Sequence, residues 1–339
     1  MIAAEDIKIK KYIVHILDNN MQLPVLSTEE HEIDCEVTAF VQKHIAKALA
    51  DDRLKKAIFT EQGEDIKAKC HQAVTDTSYF KTVSVELAQR LFSIMLKNVD
   101  IPPADLLFCL FEYENTLYFA ILKCNYKTSY IHYIDKGENG NVNSIIMQKT
   151  VLPKETQKLD ECAFINTKDG VVKIIEKQYE INGEKQYYFS SLFLQCTTDM
   201  SSYEKVKLFN KATDVFKKEF FEGDFTKGSE IKKAVNESIA QNEAIDIEEV
   251  AGQVFKEKPE IKEAYVQTME AVGLREKNIP VSTKMAEKTF KKQKIKTDIG
   301  IEIDLPIEYY NDTSKIEFLN NVDGTISIVI KNIHQISEK

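Results

Sequence analysis

Six lysines crowd into thirteen residues near the end of the chain, in KMAEKTFKKQKIK, where Lys284, Lys288, Lys291, Lys292, Lys294 and Lys296 face a single carboxylate, Glu287. Side chains of this type and density suit contact with a row of phosphates, because each neutralised charge releases a counterion and makes the affinity salt-dependent. The spacing predicts a helix over 282–292 that gathers Lys284, Lys288, Lys291 and Lys292 on one side. A solvated helix face that keeps the chain soluble gives the same pattern. Arginine, the residue that reads guanine edges bidentately, occurs only at Arg53, Arg90 and Arg275. Contact of this kind therefore carries little base specificity. Lys8, Lys10 and Lys11 form a second cationic group on the first predicted strand, with Lys123 and Lys127 as candidate neighbours from a later hairpin. Edge-strand lysines that deter aggregation account for that group equally well.

Catalytic patterns are thin. A metal-dependent nuclease needs a carboxylate on one strand and an acidic residue two before a lysine on the next. Asp105 and Lys123 occupy such places, but the residue two before Lys123 is Ile121. Gln157, Lys158, Asp160 and Glu161 make a polar group before a strand, suited to capping a neighbouring element or to holding a metal. The histidines at 15, 31, 44, 71, 132 and 334 fall into no zinc-chelating spacing. Phosphate-cradling glycine loops and a nucleophile elbow are absent from the sequence, so no cofactor and no catalytic residue is expected. Tyr113, Tyr118, Tyr126, Tyr130 and Tyr133 alternate along a strand-rich stretch; they suit sheet packing or, as platforms, the stacking of single-stranded bases.

The elements that carry these residues are legible in outline. Ile7, Ile9, Tyr12, Val14 and Ile16 alternate with one slip at Lys10 and Lys11, which predicts a strand over 5–19 with a bulge. Ser27 and Glu30 form a capping box ahead of a helix over 28–50, and further helices are expected over 63–74 and from Ser84 until Pro102 and Pro103. From 104 the period changes to that of strands: a hairpin broken at Glu114 to Thr116 leads into a meander, with strands over 143–149, 162–166, 171–179 and 185–196 and turns at Gly137 to Asn141, Lys168 to Gly170 and Asn182-Gly183. From Ser201 a long amphipathic helix is followed by candidates over 227–242, 246–257, 260–272 and 282–292. Alternation at Ile299 to Leu305 and a hairpin about Asp323-Gly324 close the chain.

The expected fold class is therefore α+β, with the N-terminal helices packed on one side of an antiparallel sheet, then a helical segment and a small C-terminal β-hairpin sheet. Its division falls near residue 200: an α+β domain with an antiparallel meander over 1–200, and a helical domain ending in a small antiparallel sheet over 201–339. Of the 339 residues, 43% are hydrophobic and 29% charged, the profile of a chain that folds throughout. No apolar run is long enough to span a membrane, and six scattered cysteines suggest buried, reduced thiols, so a cytoplasmic protein is expected. The net charge of −9 repels polyanions at long range, so any DNA contact must be concentrated locally.

Several segments in order resemble the bacterial nucleoid-associated family of the NdpA (YejK) type: IKKYIVHILDN, LLFCLFEYENTLYFAILKCNYKTSYIHYI, NSIIMQKTVLPKETQKLDECAFIN, IIEKQYEINGEKQYYFSSLFLQC and DLPIEYYNDTSKIEFLNNVDGTISIVIKNI. The resemblance implies a non-catalytic protein of the nucleoid that binds DNA, directly or through chromosome-associated partners such as topoisomerases. It supplies no residue set, so the lysines above remain candidates on charge and spacing alone. An interaction module recruited by partners is the alternative, and a metal-dependent nuclease a third. The amphipathic helices over 227–272 suit a homodimer seam as readily as an intrachain core.

Overall fold

The computed structural model describes residues 2–137, 140–222, 225–290, 292–306, 309 and 312–336. The chain forms two compact units, Met1–Ser201 and Ser202–Lys339. The first holds β1 (Lys8–Leu17), α1 (Cys35–Leu49), β2 (Lys55–Phe59), α2 (Glu64–Thr75), α3 (Phe80–Lys97), β3 (Ala104–Tyr113), β4 (Thr116–Asn125), β5 (Lys127–Gly137), β6 (Gly140–Val151), β7 (Glu161–Asn166), β8 (Val172–Ile175), β9 (Tyr179–Ile181), β10 (Glu184–Gln186) and β11 (Cys196–Thr198).

Seven of these strands make one antiparallel sheet in the order β1-β3-β4-β7-β8-β2-β11. Leu106, Phe108 and Leu110 of β3 and Phe119 and Ile121 of β4 pack with Phe80, Leu87 and Leu91 of α3. The alternate residues, Leu107, Cys109, Phe111, Ala120 and Leu122, pack with Val41 and Ile45 of α1. Helices therefore cover both faces, not the one side expected from their grouping in sequence. That is why LLFCLF reads as an unbroken apolar run, since a strand covered twice has no polar face. Each such side chain contributes roughly 1.5–3 kcal/mol on burial.

Local chemistry sets the element ends. The register of β1 on β3 shifts between Ile9 and Lys11, at the slip in the sequence. Glu114 and Asn115, both at positive φ, turn β3 into β4, and Asn182-Gly183 turns β9 into β10. α1 starts later than expected, at Cys35, because Asp34 and not Ser27 caps it by accepting from the Glu36 and Val37 amides. The Ser27 hydroxyl instead donates to Val14 O at 2.5 Å. The strand expected over 185–196 is largely a π-helical segment, Phe189–Leu194. Its wide turn brings Phe189, Phe193 and Leu194 into the core together, which an extended chain would separate. Gly63, at the start of α2, approaches that segment so closely that a Cβ would lie 2.5 Å from Gln195 O.

Polar groups inside this unit are tied together. Lys123 on β4 and Glu161 on β7, both fully inaccessible, pair at 3.1 Å. Lys123 also donates to Pro102 O and Asn125 Oδ1, while Tyr188 and Asn125 donate to Glu161. Burial draws the Lys123 ammonium below its usual range, against the pull of Glu161. A second buried pair joins Lys55 to Glu176 at 3.4 Å, and Glu176 accepts from the Ser190 amide of the π-helical segment. His15 Nδ1 accepts from the Ser27 amide, so its proton sits on Nε2, which donates to Ser84 Oγ at 3.0 Å. Five cysteines are buried and Cys35 is exposed, so only Cys35 departs from the expected burial. Burial pushes the Cys124 and Cys196 thiols up to about 12.

The second unit holds α4 (Ser202–Phe221), α5 (Phe225–Asn242), β12 (Ala244–Asp246), α6 (Ile247–Val254), α7 (Pro259–Ala271), β13 (Asn278–Pro280), α8 (Thr283–Thr289), β14 (Lys292–Lys296), β15 (Glu302–Pro306), β16 (Ile316–Asn320) and β17 (Ile326–Ile330). Phe209 and Phe216 of α4, Ile231 and Val235 of α5, Val250 of α6 and Tyr265 and Met269 of α7 form one core. The apolar faces over 227–272 are thus spent within the chain. β12–β13, β14–β15 and β16–β17 are separate two-stranded sheets.

Two outcomes follow for stability. Glu161→Gln leaves the Lys123 ammonium without a counter-charge and is expected to cost about 3–5 kcal/mol in urea unfolding, part of which returns when Lys123→Met is added. Burial holds His15 down at about 4 in the folded chain, with the nearby His31 adding to the shift, whereas the unfolded ring takes its proton near pH ~6.5. Protonation then favours the unfolded chain, so stability is full above that pH and falls by up to about 3 kcal/mol towards pH ~4. Urea midpoints between those limits should fall with pH, and less steeply in His15→Gln.

Candidate nucleic-acid interface

The C-terminal lysines are positioned by a short helix and the strand after it. Ser282 caps α8 by accepting from the Met285 amide at 3.1 Å, and Met285 and Phe290 anchor the helix in the core. Lys284 and Lys288 stand four apart on its exposed side, and among the described residues no ion pair engages either. The helix ends at Thr289, short of the expected 292. Lys291 lies outside the described residues, and Lys292 belongs to β14, so the four lysines expected along one helix do not share one. The reason is the alternation of KQKIK, which buries Ile295 with Leu305 and Ile316 and commits the segment to a strand.

Lys294 and Lys296 flank Ile295 with side chains 84% and 72% exposed, so the charge is accessible. It is not unopposed. β15 runs antiparallel and sets Asp304 against Lys294 at 3.8 Å and Glu302 against Lys296 at 3.1 Å. Exposed pairs of this kind contribute about 0–1 kcal/mol, so a phosphate can displace the carboxylates, though at lower net charge than the lysines alone suggest. The signal for these partners was present in the sequence as the alternation Glu302-Ile303-Asp304-Leu305.

The first-strand group is more fully neutralised. Lys8 is exposed, Lys10 pairs with Glu112 at 3.0 Å, and Lys11 pairs with Glu30 at 2.8 Å and donates to Thr77 O. Lys10, and secondarily Lys8, hold the Glu112 carboxyl below the usual carboxylate range. Lys123 cannot join them, because it is the buried partner of Glu161. The polar group before β7 likewise supplies a core ligand in Glu161 and an outer pair, Lys158 to Asp51 at 2.8 Å.

The other candidate chemistry is dispersed. Asp105 accepts from Tyr126 at 2.7 Å and pairs along the sheet with Cys124, one position out of phase with Lys123, so the two point to opposite faces. Among the described residues no three histidine, cysteine or acidic side chains group as a metal site. Tyr118 is buried against Phe111, whereas Tyr130 and Tyr133 are exposed on the β5–β6 hairpin.

The profile of the nucleoid-associated protein YejK family matches residues 13–336. The chain belongs to that family. Its members are nucleoid-associated proteins, and this assignment covers both structural units. No curated protein matches the sequence. No helix among the described residues is long and apolar enough to cross a membrane.

The cross-strand pairing makes an expected outcome for polyanion affinity. Glu302→Gln with Asp304→Asn removes the two carboxylates set against Lys296 and Lys294, and the variant should elute from a heparin column at higher salt than the parent. An unchanged elution position would show that the β14 lysines do not meet the polyanion.

Proposed function

We propose that this chain is a non-catalytic DNA-binding protein of the nucleoid that contacts phosphates with little sequence specificity. The observation that carries the proposal is the family match across residues 13–336. The accessible lysines at 284, 288, 294 and 296 support it, with Lys291 and Lys292 from the same segment as further phosphate ligands and Lys8, Lys10 and Lys11 as a secondary group. Scarce arginine and the net charge of −9 favour weak, salt-sensitive binding over a specific site.

Fluorescence anisotropy with duplex and single-stranded DNA, from about 50 to 200 mM salt, tests this. Affinity should fall steeply with salt. Lys288→Glu, Lys291→Glu and Lys292→Glu together should weaken binding and flatten the logarithmic slope by up to about three units. Unchanged binding by the folded triple variant removes the segment from the interface.

The acidic balance and the carboxylates opposite the lysines favour a second reading, in which chromosome-associated proteins, topoisomerases among them, recruit the chain to the nucleoid. Pull-downs from nuclease-treated lysate separate the two, because partners held by direct protein contact survive digestion of the DNA.

A further inference from the structure

β5 and β6 form a two-stranded ribbon that pairs with no other strand among the described residues. Its register sets Tyr130 opposite Met147, His132 opposite Ile145 and Ile134 opposite Asn143 on one face. Ile131 meets Ile146, Tyr133 meets Ser144 and Asp135 meets Val142 on the other. Eight large apolar side chains on it are between 39% and 77% exposed: Tyr130, Ile131, Tyr133, Ile134, Val142, Ile145, Ile146 and Met147. None belongs to a buried cluster among the described residues.

Such a ribbon is incomplete by itself. A lone two-stranded hairpin is at best marginally stable in water, and three or more strands, or a packed face, are needed to hold it. Alternation normally leaves one face without large apolar side chains, but here both faces expose several, so solvent is a poor neighbour on either side. Strands of 11 and 12 residues reach about 35 Å, enough to lie across a second globular unit.

We propose that the β5–β6 ribbon is a dimerisation arm whose two faces are covered by a second copy of this chain. The exposed fractions of the eight side chains correspond to roughly 800 Å2, taking about 180 Å2 for each when fully open. That equals the share of one partner, about 800 Å2, in a stable interface of standard size. Charge argues against DNA as the occupant. Lys127, Lys136 and Lys149 are the cations between residues 127 and 151, Asp135 and Glu138 the carboxylates, so the stretch has a net charge of only +1, and of the Tyr130–Met147 face's paired positions Lys136 alone carries a charge. A second copy also brings an identical ribbon with the same free edges and the same apolar faces, which is the self-complementarity that a two-fold contact requires.

The arm is outside the buried clusters, so its substitution spares the cores and the test uses the full chain. Sedimentation equilibrium from about 1 to 50 µM should give twice the chain mass, and Ile134→Ser with Ile145→Ser should weaken the self-association at least tenfold (about 1.4 kcal/mol) with unchanged circular dichroism. Val322→Ser, which removes an exposed apolar side chain from the β16–β17 loop, should leave the dimer intact. Concentration-dependent protection of β5 and β6 amides from hydrogen exchange is the second expected result. A parent chain that stays monomeric throughout, or a dimer indifferent to the arm substitutions, overturns the proposal. So does an arm variant that keeps its mass but loses affinity for duplex DNA, which would assign the ribbon to nucleic acid. The outcome does not depend on whether the lysine segment binds phosphate.

Discussion

An ammonium and a carboxylate with no access to water can persist only if each answers the other, and Lys123 and Glu161 do so between β4 and β7. The sheet is covered on both faces, so solvent cannot relieve either charge. This fixes register. A one-residue slip of β7 along β4 would turn Glu161 to the opposite face and strand the ammonium in an apolar core. The same two groups also bind Asn125, Tyr188 and the carbonyl of Pro102, so the end of β4, the approach to the π-helical segment and the chain after α3 are held by one polar knot. The remainder of the first unit, from the helix layers to the order of its strands, is arranged around keeping that knot dry and complete.

Elements specified by their own residues were legible in the sequence. The turns at Glu114-Asn115 and Asn182-Gly183 demand backbone conformations that asparagine and glycine supply, and the bulge in β1 shows as a slip in alternation. β2, β12 and β13 were not seen, because three to five residues carry too little periodicity and are strands only by virtue of distant partners: β8 and β11 for the first, each other for the rest. Ser27 looked like a cap because the local pattern was right, yet the carbonyl of Val14 took its hydroxyl and Asp34 capped the helix. The Phe-Ser-Ser-Leu-Phe-Leu stretch suited an extended strand and was drawn into a helical turn by where its aromatic rings had to lie.

The candidate site divides in the same way. Positive charge is a property of composition, so the lysine segment was visible at once, and so was the lack of arginine. How much of that charge is available depends on what stands across the strand, and Glu302 and Asp304 were read as part of an alternating run rather than as neighbours of Lys296 and Lys294. Lys123 shows the limit most plainly: by spacing it was a surface candidate, and by packing it is fully buried beside Glu161. The β5–β6 ribbon shows the converse, since its alternation is indistinguishable from that of a covered strand and only the fold reveals that the described residues leave it exposed.

Cysteine distribution carries a practical corollary. Nucleophilic attack needs a thiolate, and burial holds the thiols of Cys70, Cys109, Cys124, Cys162 and Cys196 protonated and out of reach. Cys35, exposed at the first turn of α1, is the one sulfur that a maleimide can meet in the folded chain. The native sequence therefore comes with a single conjugation point on the sheet-bearing unit, where a dye or spin label can be placed without first removing the other five cysteines.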